Sequence, residues 1–194
     1  MADVAVRPGR PSDADALAVV QTASWRVDHA DDDALCGLTA ARPQDVEPAW
    51  RQALGASSDD GPPPVLVATA QDRVVGVAVL QRVPDDAPQE AGGSPQAGRE
   101  WPTAEVATLV VAPTARGQGH GSRLLAACAD TTREAGLRRL VGWVVETDAP
   151  GRQFLESAGF VEAGVRRVLA TPTGQVAQVL LHTGLGPAGE EEQS

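Results

Sequence analysis

The chain has 194 residues, 42% of them hydrophobic, and a formal net charge of −10. This suits one globular domain with a sizeable core and argues against nucleic acid as a partner, because phosphate contacts need clustered basic residues. No apolar run reaches the roughly 18 residues of a membrane span, Met1-Ala2-Asp3 lacks the basic and apolar regions of a signal peptide, and Cys36 and Cys128 have neither disulfide-framework nor metal spacing, so a cytoplasmic protein without a membrane partner or a bound metal is predicted.

In chain order, Val4-Ala5-Val6-Arg7 reads as a first strand. Ser12 and Asp15 form an approximate capping box for a helix carrying Leu17 and Val20 toward Trp25. Residues 28–42 are acidic and irregular, 43–54 suit a second helix, and 56–64 a loop. Two apolar runs, 65–70 and 74–80, joined by Gln71-Asp72-Arg73, predict a hairpin. Residues 84–99, rich in Pro, Gly, Asp and Gln, read as a mobile loop inside the domain. A strand over 105–111 precedes a glycine-rich turn, then a helix to about Ala135 with Gly136 as its stop. A strand at 140–145, a short helix at 150–157, and a hairpin of 161–169 and 175–181 complete a domain of residues 1–185. Residues 186–194, with Glu190-Glu191-Glu192, read as a disordered acidic tail. This order predicts an α/β mixed sheet of about seven strands with helices on both faces.

The turn Arg116-Gly117-Gln118-Gly119-His120-Gly121-Ser122 is the densest chemical signal. Strand, glycine turn and helix in that order make an anion site, with bare N–H groups and the positive end of the helix dipole converging on one point. A P-loop needs a Lys after its second Gly, and all 16 basic residues here are Arg. A Rossmann fingerprint belongs on the first strand of a doubly wound sheet, whereas this turn lies past the middle of the chain. A glycine turn without a ligand stays open on these residues alone.

Three features resemble the GNAT N-acetyltransferase superfamily over about residues 4–184. Leu109-Val110-Val111-Ala112-Pro113 leads into Arg116-x-x-Gly119-x-Gly121, as in the family's acyl-CoA motif. Phe154-Leu155-Glu156-Ser157-Ala158-Gly159-Phe160 is similar to its late helix, with Leu155 where Tyr is usual. An N-terminal helical pair precedes a hairpin containing Gly76. The resemblance implies a splayed mixed sheet, acetyl-CoA as co-substrate, and transfer to a primary amine of a small molecule or protein. It also admits a homodimer.

By that resemblance, Arg116, Gly117, Gln118, Gly119, His120, Gly121 and Ser122 hold the pyrophosphate, the N–H of His120 mattering more than its imidazole. The backbone of Leu109 and Val111 pairs with pantetheine, as an added strand would, with Val110 counted among the cofactor-binding residues, and the N–H of Leu109 serves the oxyanion. Glu105 is the candidate base, or a strand-end carboxylate in solvent or in a structural hydrogen bond. Asp148 contacts the pantetheine arm or caps the helix before Pro150. Trp25, Asp28 and Trp143 are candidate acceptor contacts; their plain readings are core for the two Trp and a solvated loop for Asp28. The chain has no Tyr, so the family's usual acid is absent, and a non-catalytic CoA-binding module is the competing function.

Overall fold

The computed structural model describes residues 4–56, 65–84 and 102–186. Most of the three segments expected as loop, mobile loop and acidic tail (56–64, 84–99 and 186–194) therefore lies outside the described residues.

The elements run β1 (Val4–Pro8), α1 (Ala14–Asp28), α2 (Cys36–Thr39), α3 (Pro43–Gly55), β2 (Val65–Ala70), β3 (Arg73–Arg82), β4 (Thr103–Val111), α4 (His120–Glu134), β5 (Arg139–Val145), α5 (Ala149–Ser157), β6 (Val161–Thr171) and β7 (Gly174–Gly184). They build one seven-stranded sheet in the order β1-β2-β3-β4-β5-β7-β6. Every neighbouring pair is antiparallel except β4 and β5. The predicted mixed sheet with helices on both faces is what the chain forms.

Alternation along the strands divides the core in two. Val65, Val67 and Val77 face α1 and α3, against Ala14, Leu17, Ala18 and Trp50. Leu66, Ala78, Leu80, Ala104 and Leu140 face the other way, against Leu124, Leu125 and Cys128 of α4 and Leu155 of α5. Burial pushes the Cys128 thiol up to about 12, so it packs as a small apolar side chain. Between β2 and β3, Gln71 and Asp72 both have positive φ (50° and 61°). That is the requirement of a two-residue type I′ turn, whose twist matches the strands it joins. Gly136, at φ 74°, follows the end of α4 as expected.

Two local expectations need correction. The Ser12–Asp15 box does not form. A 3-10 turn over Pro11–Asp13 comes first, because Pro11 lacks an N–H and fits the opening of a helical turn. Asp13, only 6% exposed, accepts the Arg10 N–H at 2.7 Å and both Arg7 terminal nitrogens at 2.7 and 2.8 Å. The same Arg-Pro-x-Asp pattern recurs at Arg42, Pro43 and Asp45, where Asp45 accepts the Arg42 N–H at 2.9 Å and opens α3. Lastly, residues 28–42 are not wholly irregular: α1 runs to Asp28, and Cys36–Thr39 form a short helix.

Candidate active site

β4 meets β5 over three residues only, Thr103, Ala104 and Glu105 against Arg139, Leu140 and Val141. Beyond that, all seven residues of β5 continue in register with β7, while β4 stays with β3. The sheet therefore splays open between β4 and β5, and from Val106 onward that flank of β4 pairs with no strand among the described residues. A bulge accompanies the opening. Thr108 opposes Val79 and Val106 opposes Leu80, so Ala107 is the extra residue. It reverses the alternation, and Val106, Leu109 and Val111 all reach the core under α4.

The glycine turn lies at the open end of the splay. Gly117 and Gly119 have φ of 72° and 77°, a region that costs side-chain-bearing residues roughly 1–2 kcal/mol. Among the described residues, no backbone carbonyl accepts from the N–H groups of Gly117 through Ser122. The first intrahelical bond is Arg123 N–H to the Gly119 carbonyl at 3.1 Å. These bare donors at the start of the 15-residue α4 sum with its dipole into a positive focus. A Cβ on Gly121 would lie 3.3 Å from the Phe154 ring of α5, so the small residue admits close packing there.

The Arg116 side chain does not point its charge at this focus. It pairs with Asp28 through both terminal nitrogens at 2.6 and 2.8 Å, and also donates to Ser24 Oγ at 3.1 Å and the Val111 carbonyl at 3.2 Å. The hydrogen bonds it donates to the Asp28 carboxylate hold the guanidinium above its ordinary range, against the opposing effect of burial. Ser24 itself donates to the Val111 carbonyl at 3.1 Å. The end of α1 is thus braced to the turn, and the Asp28 carboxylate is occupied there.

A cleft of about 530 Å³ joins these parts, floored by Leu109, Val110 and Val111, closed by Arg116, Gly117, Gly119, His120, Gly121 and Ser122, and walled by Asp28, Asp148, Pro150, Gly151 and Phe154. Of the residues expected at a cofactor site, only Gln118 lies off this lining; its amide reaches the Thr114 carbonyl at 3.4 Å. His120 is 2% exposed, and neither ring nitrogen has a partner among the described residues. Asp148 caps α5, accepting the Gly151 N–H at 2.9 Å. Leu155 is 9% exposed within the core, one residue from Phe154, which faces the cleft.

Residues 27–160 match the acetyltransferase (GNAT) family. The chain belongs to the GNAT family. Solved structures share its fold at low identity. The PaiA N-acetyltransferase of Thermoplasma acidophilum, in complex with coenzyme A, has a TM-score of 0.69 at 16% identity, over 94% of this chain and 99% of that one. Salmonella typhimurium yncA, solved with its cofactor acetyl-CoA, has 0.62 at 19%, over 98% and 99%. The ribosomal-protein-S18-alanine N-acetyltransferase of Escherichia coli has 0.61 at 19%, also over 98% and 99%. No curated protein matches the chain.

The remaining expected residues of this GNAT protein sit elsewhere. Glu105 is half-buried at the base of the splay, opposite Gln81 and Val141. Its carboxylate has no hydrogen bond or ion pair among the described residues. Trp143 is half-buried two residues beyond Val141, on the same face as Glu105. Trp25 is half-buried near the end of α1, while Trp50 is core and bonds Gln21 Oε1 at 2.8 Å. Sequence reasoning did not place His182 and Arg139 on the Glu105 face. Burial, then the charge of Arg139, push the His182 imidazole below its ordinary value. It also missed Phe154 as a cleft wall. Phe154 opens the late-helix motif, so its position was visible but its contact with Gly121 was not.

Among the described residues, no helix is long and apolar enough to cross a membrane, and no group of three or more His, Cys, Asp or Glu could hold a metal ion.

Proposed function

We propose that this chain is an acetyl-CoA-dependent N-acetyltransferase that moves the acetyl group to a primary amine by direct attack on the thioester. The observation that carries the reading is the run of bare N–H groups from Gly117 to Ser122 opening onto the unpaired flank of β4. A pyrophosphate needs several such donors at once. The two pantetheine amides need an exposed strand edge of the kind Leu109, Val110 and Val111 present. In this reading Arg116 acts through its backbone, since its side chain is committed to Asp28, while Gln118 and His120 contribute their N–H groups. Asp148 bounds the pantetheine arm while capping α5. The free thiols of Cys36 and Cys128 suit a cytoplasmic setting.

The chemistry requires a neutral amine. A lysine-like amine, with a pKa near 10.4, costs roughly 4–5 kcal/mol to neutralise at pH 7. Glu105 takes that proton, through water where the amine is out of direct reach. The amine nitrogen then bonds to the acetyl carbon, the Leu109 N–H stabilises the oxyanion, the carbon–sulfur bond breaks, and the extra proton left on nitrogen passes to solvent as the amide forms. The thiolate leaves without a Tyr to protonate it. A thiol pKa of about 8.5 makes that departure inexpensive at neutral pH.

Calorimetric titration with acetyl-CoA, followed by free-thiol release across an amine panel, tests the reading. Absence of binding at millimolar acetyl-CoA sinks it. Glu105→Gln is expected to lower kcat about 100-fold, with acetyl-CoA affinity kept and the base-dependent limb of the pH profile gone; an unaltered profile removes Glu105 as base. Burial of Leu155 where the family carries its acid favours one second reading, a CoA-binding module without turnover. Tight acetyl-CoA binding with no thiol released from any amine supports that module instead.

A further inference from the structure

α1 packs on β3 and β4, and past them the same face of the sheet carries chemistry the mechanism above does not use. Register sets Glu105, Val141 and His182 in one row across β4, β5 and β7. Two residues further along lies Trp143 beside Leu180, and then Val145, Gln178 and Arg167. The loop after α1 arches toward this face. The Ala34 carbonyl accepts the hydroxyls of Thr171 and Thr173, from the end of the β6–β7 hairpin, at 2.7 and 2.9 Å.

Arg167 is held on this face as a preset cation. Its guanidinium carbon lies 4.1 Å from the centroid of the Trp143 ring, and its Nε donates to Gln178 Oε1 at 2.7 Å. Neither partner carries a charge. Among the described residues no carboxylate forms an ion pair with it, whereas the adjacent Arg166 pairs with Glu146 at 2.8 Å. With Nε engaged and the plane stacked, the two terminal nitrogens form the edge that binds a carboxylate in a bidentate fork. Arg139 adds a second cation on the same face. It is 8% exposed, its Nε has no acceptor, and it pairs with no carboxylate among the described residues. Against these two cations the rows carry one carboxylate, Glu105. Of the acids in the arching loop, Asp32 is turned to the Ala34 N–H at 2.9 Å, and Asp31 and Asp33 are exposed.

Resting on the transferase reading above, we propose that the acceptor is an α-amino acid or a close analogue, an amine with a carboxylate on the neighbouring carbon, and that Arg167 binds that carboxylate. The spacing fits. Two strand residues rise about 6.6 Å, which separates the Glu105–Val141 row from Trp143 under Arg167. An amine and a carboxylate two bonds apart, with a hydrogen bond of about 2.8 Å at each end, bridge a gap of that order.

The test is thiol release from acetyl-CoA with the coded α-amino acids, each beside its α-carboxamide and its decarboxylated amine. For the preferred side chain, kcat/KM for the acid exceeds that for the carboxamide roughly 10–100-fold, the range of a charge-assisted hydrogen bond. Arg167→Gln collapses this ratio toward one, and Arg167→Lys keeps only part of it; an acetyl-CoA titration of each variant checks its folding. Carboxamides or decarboxylated amines turned over as well as the acids overturn the proposal, as does a ratio that survives Arg167→Gln. If no amine releases thiol, the transferase reading fails separately, and the same compounds are titrated calorimetrically into the CoA-loaded protein. Binding of acids over carboxamides that is lost in Arg167→Gln then supports the carboxylate site, and equal or absent binding overturns it.

Discussion

At Gly119 the backbone holds a φ of 77° immediately before α4, amid N–H groups that no backbone carbonyl accepts among the described residues. An alanine there meets the left-handed penalty of roughly 1–2 kcal/mol. Gly119→Ala is therefore expected to lower the melting temperature and to weaken acetyl-CoA binding together. Gly37→Ala, where a Cβ meets nothing within 4 Å, changes neither; thermal melts and titration of both variants provide the comparison. Arg116 and Asp28 carry a different lesson at this scale. One was a candidate for the pyrophosphate and the other for the acceptor. They lie 88 residues apart in the chain and neutralise each other.

Elements in this protein begin with a repeated device. Arg10-Pro11-Ser12-Asp13 and Arg42-Pro43-Gln44-Asp45 each use the Asp to reach back to the N–H before the proline. The two differ in burial, and so in consequence. Asp13 is buried, and the Arg7 guanidinium holds its carboxyl below the usual carboxylate range, against the opposing effect of burial. A depressed folded value means the stabilisation is complete above the unfolded value near pH 4 and is lost as pH falls through the folded one. Asp13→Asn is expected to cost about 1–3 kcal/mol at pH 7 by leaving buried donors poorly satisfied, and to flatten the acid limb of stability. Urea midpoints measured between pH 7 and pH 3 check both. At the exposed Asp45 pair, the same substitution moves the midpoint little.

For the whole molecule, the net charge of −10 says little about the acceptor. It permits a cationic partner, yet the face beside Glu105 gathers Arg139 and Arg167 without carboxylate partners among the described residues. Total charge sums a surface, whereas recognition reads the few groups that a fold brings within bonding distance. The cofactor reading has a global consequence too. A ligand that binds only the folded state stabilises it by about 2.7 kcal/mol at 100 times its Kd. Acetyl-CoA is thus expected to raise the melting temperature, with amide-exchange protection concentrated at residues 106–111 and 117–122. A rise in melting temperature without protection at those amides contradicts binding in the splay.

The order of strands and helices, the mixed sheet with helices on both faces and the place of the glycine turn before α4 were legible in the sequence. Each depends on residues close together along the chain: the apolar runs of β2 and β3, the glycine cluster before α4, Gly136 after it. The opening between β4 and β5, the Ala107 bulge, the burial of Leu155, and Phe154 against Gly121 were not. Nor was the gathering of Glu105, Trp143, His182 and Arg167 on one face. These follow from strand register and from pairing between distant segments, where a shift of one residue sends every side chain to the opposite face. Local chemistry could therefore single out the glycine turn from the sequence alone, while the acceptor we propose rests on contacts that exist only once the sheet has closed around its own gap.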